Sequence, residues 1–106
     1  MVILRGEVYW VNLNPTQGAE VNKVRPCLII SPDQANRHLQ TVLVAPITSS
    51  IHGYPTRIPC TLKGKSGEIM LDQMRSISKD RLKDKITSLS DENLHSTLSI
   101  LRDYFA

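Results

Sequence analysis

The chain has no uninterrupted apolar run approaching the ~20 residues a helix needs to cross a bilayer, so no membrane partner is expected. Its opening stretch, MVILRGEVYW, has a few apolar residues and then Arg5 and Glu7. It offers neither a basic lead segment nor a cleavage site, and a cytoplasmic location is expected. Cysteine is scarce: Cys27 and Cys60 each sit inside a strand-like segment and are read as buried free thiols rather than a disulfide. His38, His52 and His95 are scattered, and two Cys with three such His make no zinc pattern. No metal or cofactor is expected. Repeats, low-complexity tracts and linker-like segments are missing too, so residues 1–106 read as one domain of ordinary size. Nor does one sign of charge dominate. A net charge of +3 and a pI of 9.1 are a mild basic bias, compatible with a nucleic-acid or acidic-peptide partner without establishing one.

With 41% hydrophobic and 22% charged residues, the composition is that of an ordinary globular chain. The core it can build is small, and dimerisation is a plausible further source of stability. GEVYWVNL (Gly6 to Leu13) is rich in aromatic and β-branched residues and reads as a strand. NPTQGAEVNK reads as a loop, VRPCLII as a second strand, and SPDQANRH as a turn or short helical piece that Ser31 or Asp33 can cap. TVLVAPI is a third strand and TSSIHGYPT a second loop. In RIPCTL, Ile58, Cys60 and Leu62 alternate with polar positions, and Pro59 places the strand at a sheet edge.

KGKSG is a tight basic turn leading into EIMLDQMRSI, one bent strand or two short ones. SKDRLKDKI reads as a short helix with Ser78 at its N-cap, and TSL as a connector. Lys79 to Lys85, with four basic and two acidic residues, is a solvated face rather than a nucleic-acid patch. Ser90 then caps DENLHSTLSILRDYF, with Asp91 and Glu92 in the first turn, where the helix dipole favours negative charge. Leu94, Leu98, Leu101 and Phe105 form a stripe expected to pack that helix on the sheet. Strands without alternating helices argue against a parallel βαβ architecture. A small, strongly bent antiparallel sheet or partly open barrel fits best.

RGEVYWVNLNPTQGAE, VRPCLIIS, TVLVAPITS and LDQMRSISKDRL together resemble the MazF/PemK family of toxin endoribonucleases. That family's pattern is an opening RGD/E strand, a DPT-x-G-x-E loop, an RPxLI strand, an APIT strand end and an EQ/DQ-hydrophobic-R strand. All five occur here in order, between Arg5 and about Leu89. The resemblance implies a mainly β, SH3-like small barrel of the CcdB/MazF type with accessory helices and a C-terminal helix, working as a homodimer. It also implies cleavage of single-stranded RNA at short sequences without metal, by ribose 2′-OH attack, and a cognate antitoxin as partner. Because the chain is basic, that inhibitor is expected to offer an acidic, extended segment.

The resemblance assigns Arg25 and Thr48 to catalysis. A guanidinium presents a planar fork of donors to phosphate oxygens, and Pro26 restricts Arg25 to extended backbone, which fixes its aim. The Thr48 hydroxyl, at the end of its strand, can hold a non-bridging oxygen in line for attack. The base that takes the 2′-OH proton stays open. Family accounts give the arginine acid–base duties, yet a guanidinium stays protonated at ordinary pH, and Glu20 is a chemically easier candidate. Gln73, Asn36, Ser49 and His52 complete the candidate substrate contacts. A buried hydrogen-bonding role for Gln73, a turn role for Asn36 and a structural Asp72–Arg75 pair are the plainer alternatives. Trp10 and Tyr9 can stack bases, although a core or dimer contact suits the tryptophan better. Gln17, Ala19 and the Thr48–Arg57 loop depart from common members, so the RNA sequence recognised does not carry over.

Two rival readings use the same fold. A CcdB-type toxin would bind DNA gyrase through its C-terminal residues, which ILRDYFA does not resemble. A small-barrel adaptor would bind peptide or nucleic acid and yield no product.

Overall fold

The computed structural model describes residues 2–13 and 24–106. Strands β1 (Glu7–Asn12) and β2 (Val24–Ile29) pair antiparallel, with Val8 opposite Leu28 and Trp10 opposite Pro26. Helix α1 (Asp33–His38) leads to β3 (Thr41–Thr48), which is followed by β4 (Arg57–Leu62) and β5 (Lys65–Met70). A 3-10 turn at Leu71–Gln73 separates β5 from β6 (Arg75–Ser78), so EIMLDQMRSI is two strands. After a second 3-10 turn come β7 (Leu82–Ser88) and the long helix α2 (Asp91–Phe105). The strands run β4-β5-β3-β2-β1-β7 across one antiparallel sheet, with β6 also on β3.

The sheet curls into a half-barrel because β3 has two partners along one edge. Thr41 to Val44 pair with β6, whereas Ile47 and Thr48 pair with β5. On its other edge Val44, Ala45 and Pro46 pair with β2. Register shifts between β1 and β7 at Val8/Tyr9 and Tyr9/Val11 coil the far end as well. Both faces of the central strands are covered. Leu28, Ile30, Ala45, Ile47 and Ile69 share a cluster with Ile100 and Leu101 of α2. Cys27, Ile29, Val42, Val44 and Ile77 form a second cluster with Tyr9 and Val11. That is why β2 and β3 read as continuous apolar runs, while edge strand β4 alternates. Each fully buried aliphatic side chain stabilises the fold by roughly 1.5–3 kcal/mol. Cys27 and Cys60 are buried and unpaired, and burial pushes the Cys27 thiol up to about 12.

Three local expectations need correction. Ser78 caps only the 3-10 turn Lys79–Arg81, accepting from the Asp80 N–H, and LKDKI then extends as strand rather than helix. Leu82, Lys85 and Thr87 lie opposite β1 residues, and Lys85 Nζ reaches Glu7 Oε2 at 3.0 Å. The charges that suggested a solvated helix are those of an exposed edge strand. Neither Ser31 nor Asp33 caps α1, whose N-cap is Pro32. Ser31 Oγ instead donates to Asn36 Oδ1 at 2.5 Å and accepts from the Leu43 N–H, and Asp33 accepts from the Arg5 N–H at 2.7 Å. Ser90 does cap α2, accepting from the Asn93 N–H. The apolar stripe of that helix stops at Leu101, however: Phe105 is 70% exposed, and Thr97 is the fully buried residue. The Thr97 hydroxyl is satisfied by the Asn93 carbonyl at 2.7 Å.

Asp72 fastens the first 3-10 turn to β4. It accepts from Arg57 Nε at 2.8 Å and Nη2 at 3.2 Å, and from Thr56 Oγ1 at 3.0 Å. The Arg57 guanidinium holds the Asp72 carboxyl down, from 3.8 to about 2. A carboxyl lowered in the folded state adds stability above its unfolded value and loses it as pH falls through the folded one. Stability is therefore expected to fall between about pH 4 and pH 2, and Asp72→Asn to flatten that limb when urea unfolding is followed across it.

Candidate active-site groove

The end of β3 meets the start of β2 at an open groove of about 640 Å³. Trp10, Arg25 and Pro26 form one wall, and Ile47, Thr48 and Ser49 another. The β4–β5 hairpin closes the third side with Lys63, Lys65 and Ser66. Its two-residue turn needs a left-handed backbone at both positions, which Lys63 (φ 49°) and Gly64 (φ 83°) adopt. Register then sets Lys65 opposite Leu62 and carries β5 back alongside Thr48.

Three cations line this groove and none of its described lining residues is a carboxylate. Arg25 is half-buried and, among the described residues, has no carboxylate within ion-pair distance. A guanidinium and two ammonium groups with no counter-charge among the described residues make a site that attracts phosphate. Thr48 Oγ1 accepts from the Ser50 N–H at 3.1 Å, which leaves its own proton free to donate into the groove. Trp10 is 42% exposed on the wall, so of the core or dimer contact expected for it the core contact does not hold. Tyr9 points the other way, buried with its hydroxyl donating to Glu7 Oε1 at 3.0 Å.

Of the candidates read from sequence, Arg25, Thr48 and Ser49 come together here. Asn36 does not line the groove: it is 2% exposed, with its amide donating to the Ile3 and Ser31 carbonyls. Gln73 is exposed outside the lining and donates to Asp72 Oδ2 at 3.4 Å. His52 stacks on Tyr54, ring centres 5.2 Å apart, beyond the groove's rim. Glu20 lies outside the described residues. The Asp72–Arg75 pair does not form, since Asp72 takes Arg57 and Arg75 donates to the Leu13 carbonyl. Sequence reasoning missed Lys63 and Lys65, whose basic turn gave no sign that β5 would return beside Thr48.

It also missed Glu68, 2% exposed in β5. Burial pushes this carboxyl up, but the Gly53 and His52 N–H groups and the Arg57 guanidinium outweigh it and hold the group below its usual range.

The family model described as PemK-like, MazF-like toxin of type II toxin–antitoxin systems matches residues 4–105. The chain belongs to this family. Endoribonuclease EndoA of Bacillus subtilis is 43% identical to it over 98 residues, 87% of this chain and 84% of that protein. Among solved structures, MazF of Deinococcus radiodurans superposes with a TM-score of 0.82 at 26% identity, covering 99% of this chain and 97% of that one. A MazE–MazF structure from the same organism gives 0.84 at 27%, covering 99% and 96%. These likenesses extend over both groove walls and α2, so the half-barrel with its C-terminal helix is the family's fold.

Of the described glycines, Gly67 has the least room for a side chain. A methyl group there would stand 2.7 Å from the Thr48 carbonyl oxygen, a backbone atom that cannot swing aside. Gly67→Ala is expected to destabilise the protein by about 1–3 kcal/mol, as overpacking does, measured by denaturant unfolding.

Proposed function

We propose that the groove cleaves single-stranded RNA at short sequences, without metal, through attack of a ribose 2′-OH on the adjacent phosphate. As a PemK-like, MazF-like toxin 43% identical to an endoribonuclease, the chain is an RNA-cutting toxin of a toxin–antitoxin system. The observation that carries the finer reading is the meeting of Arg25 and Thr48 in one groove with Lys63 and Lys65 and with no described carboxylate in its lining.

The 2′-hydroxyl loses its proton as its oxygen bonds to phosphorus, the bond to the 5′-oxygen breaks and that oxygen takes up a proton, so the products are a 2′,3′-cyclic phosphate and a 5′-OH. Negative charge grows on the non-bridging oxygens along this path. The Arg25 fork and the Thr48 hydroxyl are placed to donate to them, and fixed donors aimed at developing charge are a large source of rate. Lys63 and Lys65 neutralise flanking phosphates, and Trp10 offers a face on which a base can stack. Glu20 remains a candidate to accept the 2′-OH proton. Among the described residues, no three His, Cys, Asp or Glu side chains cluster as a metal site. No described helix is long and apolar enough to cross a membrane.

The proposed regulator is a cognate antitoxin whose acidic, extended segment competes for the same cations on a homodimer of this chain. A complex named MazE–MazF exists for the Deinococcus relative, and the groove's charge suits such a segment here.

Incubation with a long RNA in EDTA is expected to yield fragments whose 5′-OH ends polynucleotide kinase labels directly. Dependence on added magnesium would rule the chemistry out, and binding without products would favour the adaptor reading. RNA with 2′-deoxyribose at the scissile position should bind and stay whole.

Arg25→Lys should lose most activity although its charge is kept, because an ammonium cannot make the forked contact. Thr48→Ala should lower turnover by roughly 10²–10³, with a smaller effect on RNA affinity, in single-turnover assays.

A further inference from the structure

Glu68 is a buried carboxylate in a strand whose neighbours are Gly67 and Ile69, and the proposed chemistry does not use it. Its cross-strand partner on β3 is Thr48. Beyond Thr48 the chain passes through Ser49, Ser50 and Ile51 and returns to Glu68, which accepts the His52 N–H at 3.1 Å and the Gly53 N–H at 2.8 Å. Arg57 Nη1, 3.4 Å away, holds the carboxylate from its other side. Arg57 is itself set by Asp72 and by lying 5.0 Å over the Tyr54 ring. The result is a closed ring: the sheet ladder joins Thr48 to Glu68, and the carboxylate joins Glu68 back to the loop at His52 and Gly53. The Ser50 N–H on Thr48 Oγ1 spans the same loop from within.

We infer that Glu68 is a positioning residue for RNA cleavage, holding segment 48–53 on the course that aims Thr48 and the Ser49–Ser50 rim into the groove. This rests on the functional reading above. A carboxylate is a costly way to fill a buried strand position, since an apolar side chain of similar volume often serves stability as well or better. What an apolar side chain cannot do is accept two backbone N–H groups and so dictate the path of the loop. With Glu68 replaced, Asp72 still neutralises Arg57, so no orphan buried cation results. Arg25, Lys63 and Lys65 would also stay in place to bind RNA.

The test is Glu68→Met and Glu68→Gln, with kcat and KM for one RNA measured per folded molecule beside urea unfolding. Misplacing a donor by about 1 Å can cost on the order of 10²-fold in rate. The expected result is a 10- to 100-fold loss of kcat in Glu68→Met, with KM close to that of the parent. Glu68→Gln, which keeps one accepting oxygen, should fall between the two. If Glu68→Met does not fold, the isosteric Gln variant decides alone. Parental kcat in either folded variant, or a change confined to KM, overturns the inference. A parent protein that leaves RNA uncut would instead count against the functional reading itself.

Discussion

Strand β3 divides one edge between β6 and β5, and most of the molecule follows from that division. A strand that serves two partners in succession cannot stay in one plane with both. The sheet bends there, two apolar faces close on either side, and the last residue of β3 emerges at the bend. That residue is Thr48. Because β5 meets β3 only at the end of that strand, its hairpin tip with β4 is brought beside Arg25. Fold and site are thus consequences of one pairing choice, and Gly67 is the side-chain-free position that lets the two strands approach so closely.

The charges are sorted with equal economy. Near the groove every described lining charge is positive and faces solvent, where phosphate can reach it. A few residues along the chain, Arg57, Glu68 and Asp72 satisfy one another and the backbone, and so contribute order rather than field. Opposite treatments of the same residue types separate a surface that binds from a scaffold that holds. A buried cation left unpaired would be costly. A paired cation in the groove would be neutralised before any substrate arrived.

Strands were legible wherever burial wrote itself into composition. The runs of β2 and β3 and the alternation of β4 gave those elements nearly to the residue. Edge strand β7 was not legible, because exposed Lys83, Asp84 and Lys85 look alike on a helix and on a sheet margin until the partner strand is known. Arg25 and Thr48 were found through a family pattern, since an arginine and a threonine at strand ends carry no signal of their own. Lys63, Lys65 and Glu68 were invisible for a further reason. Their roles depend on which strand lies next to which, and tertiary pairing has no local mark in the sequence. Asn36 shows the converse: a residue matched by pattern is spent inside, bridging Ser31 and Ile3.

Trp10 is the only tryptophan in the chain, and it stands half-open on the groove wall opposite Pro26. Its indole is the sole ring of its kind reporting from anywhere in the molecule. Emission excited at the red edge of the indole band, where Tyr9, Tyr54 and Tyr104 absorb little, is therefore a local optical signal. Whatever enters the groove, nucleotide or polypeptide, changes the surroundings of that one chromophore. The fold has in effect installed its own spectroscopic label at the position where occupancy matters most.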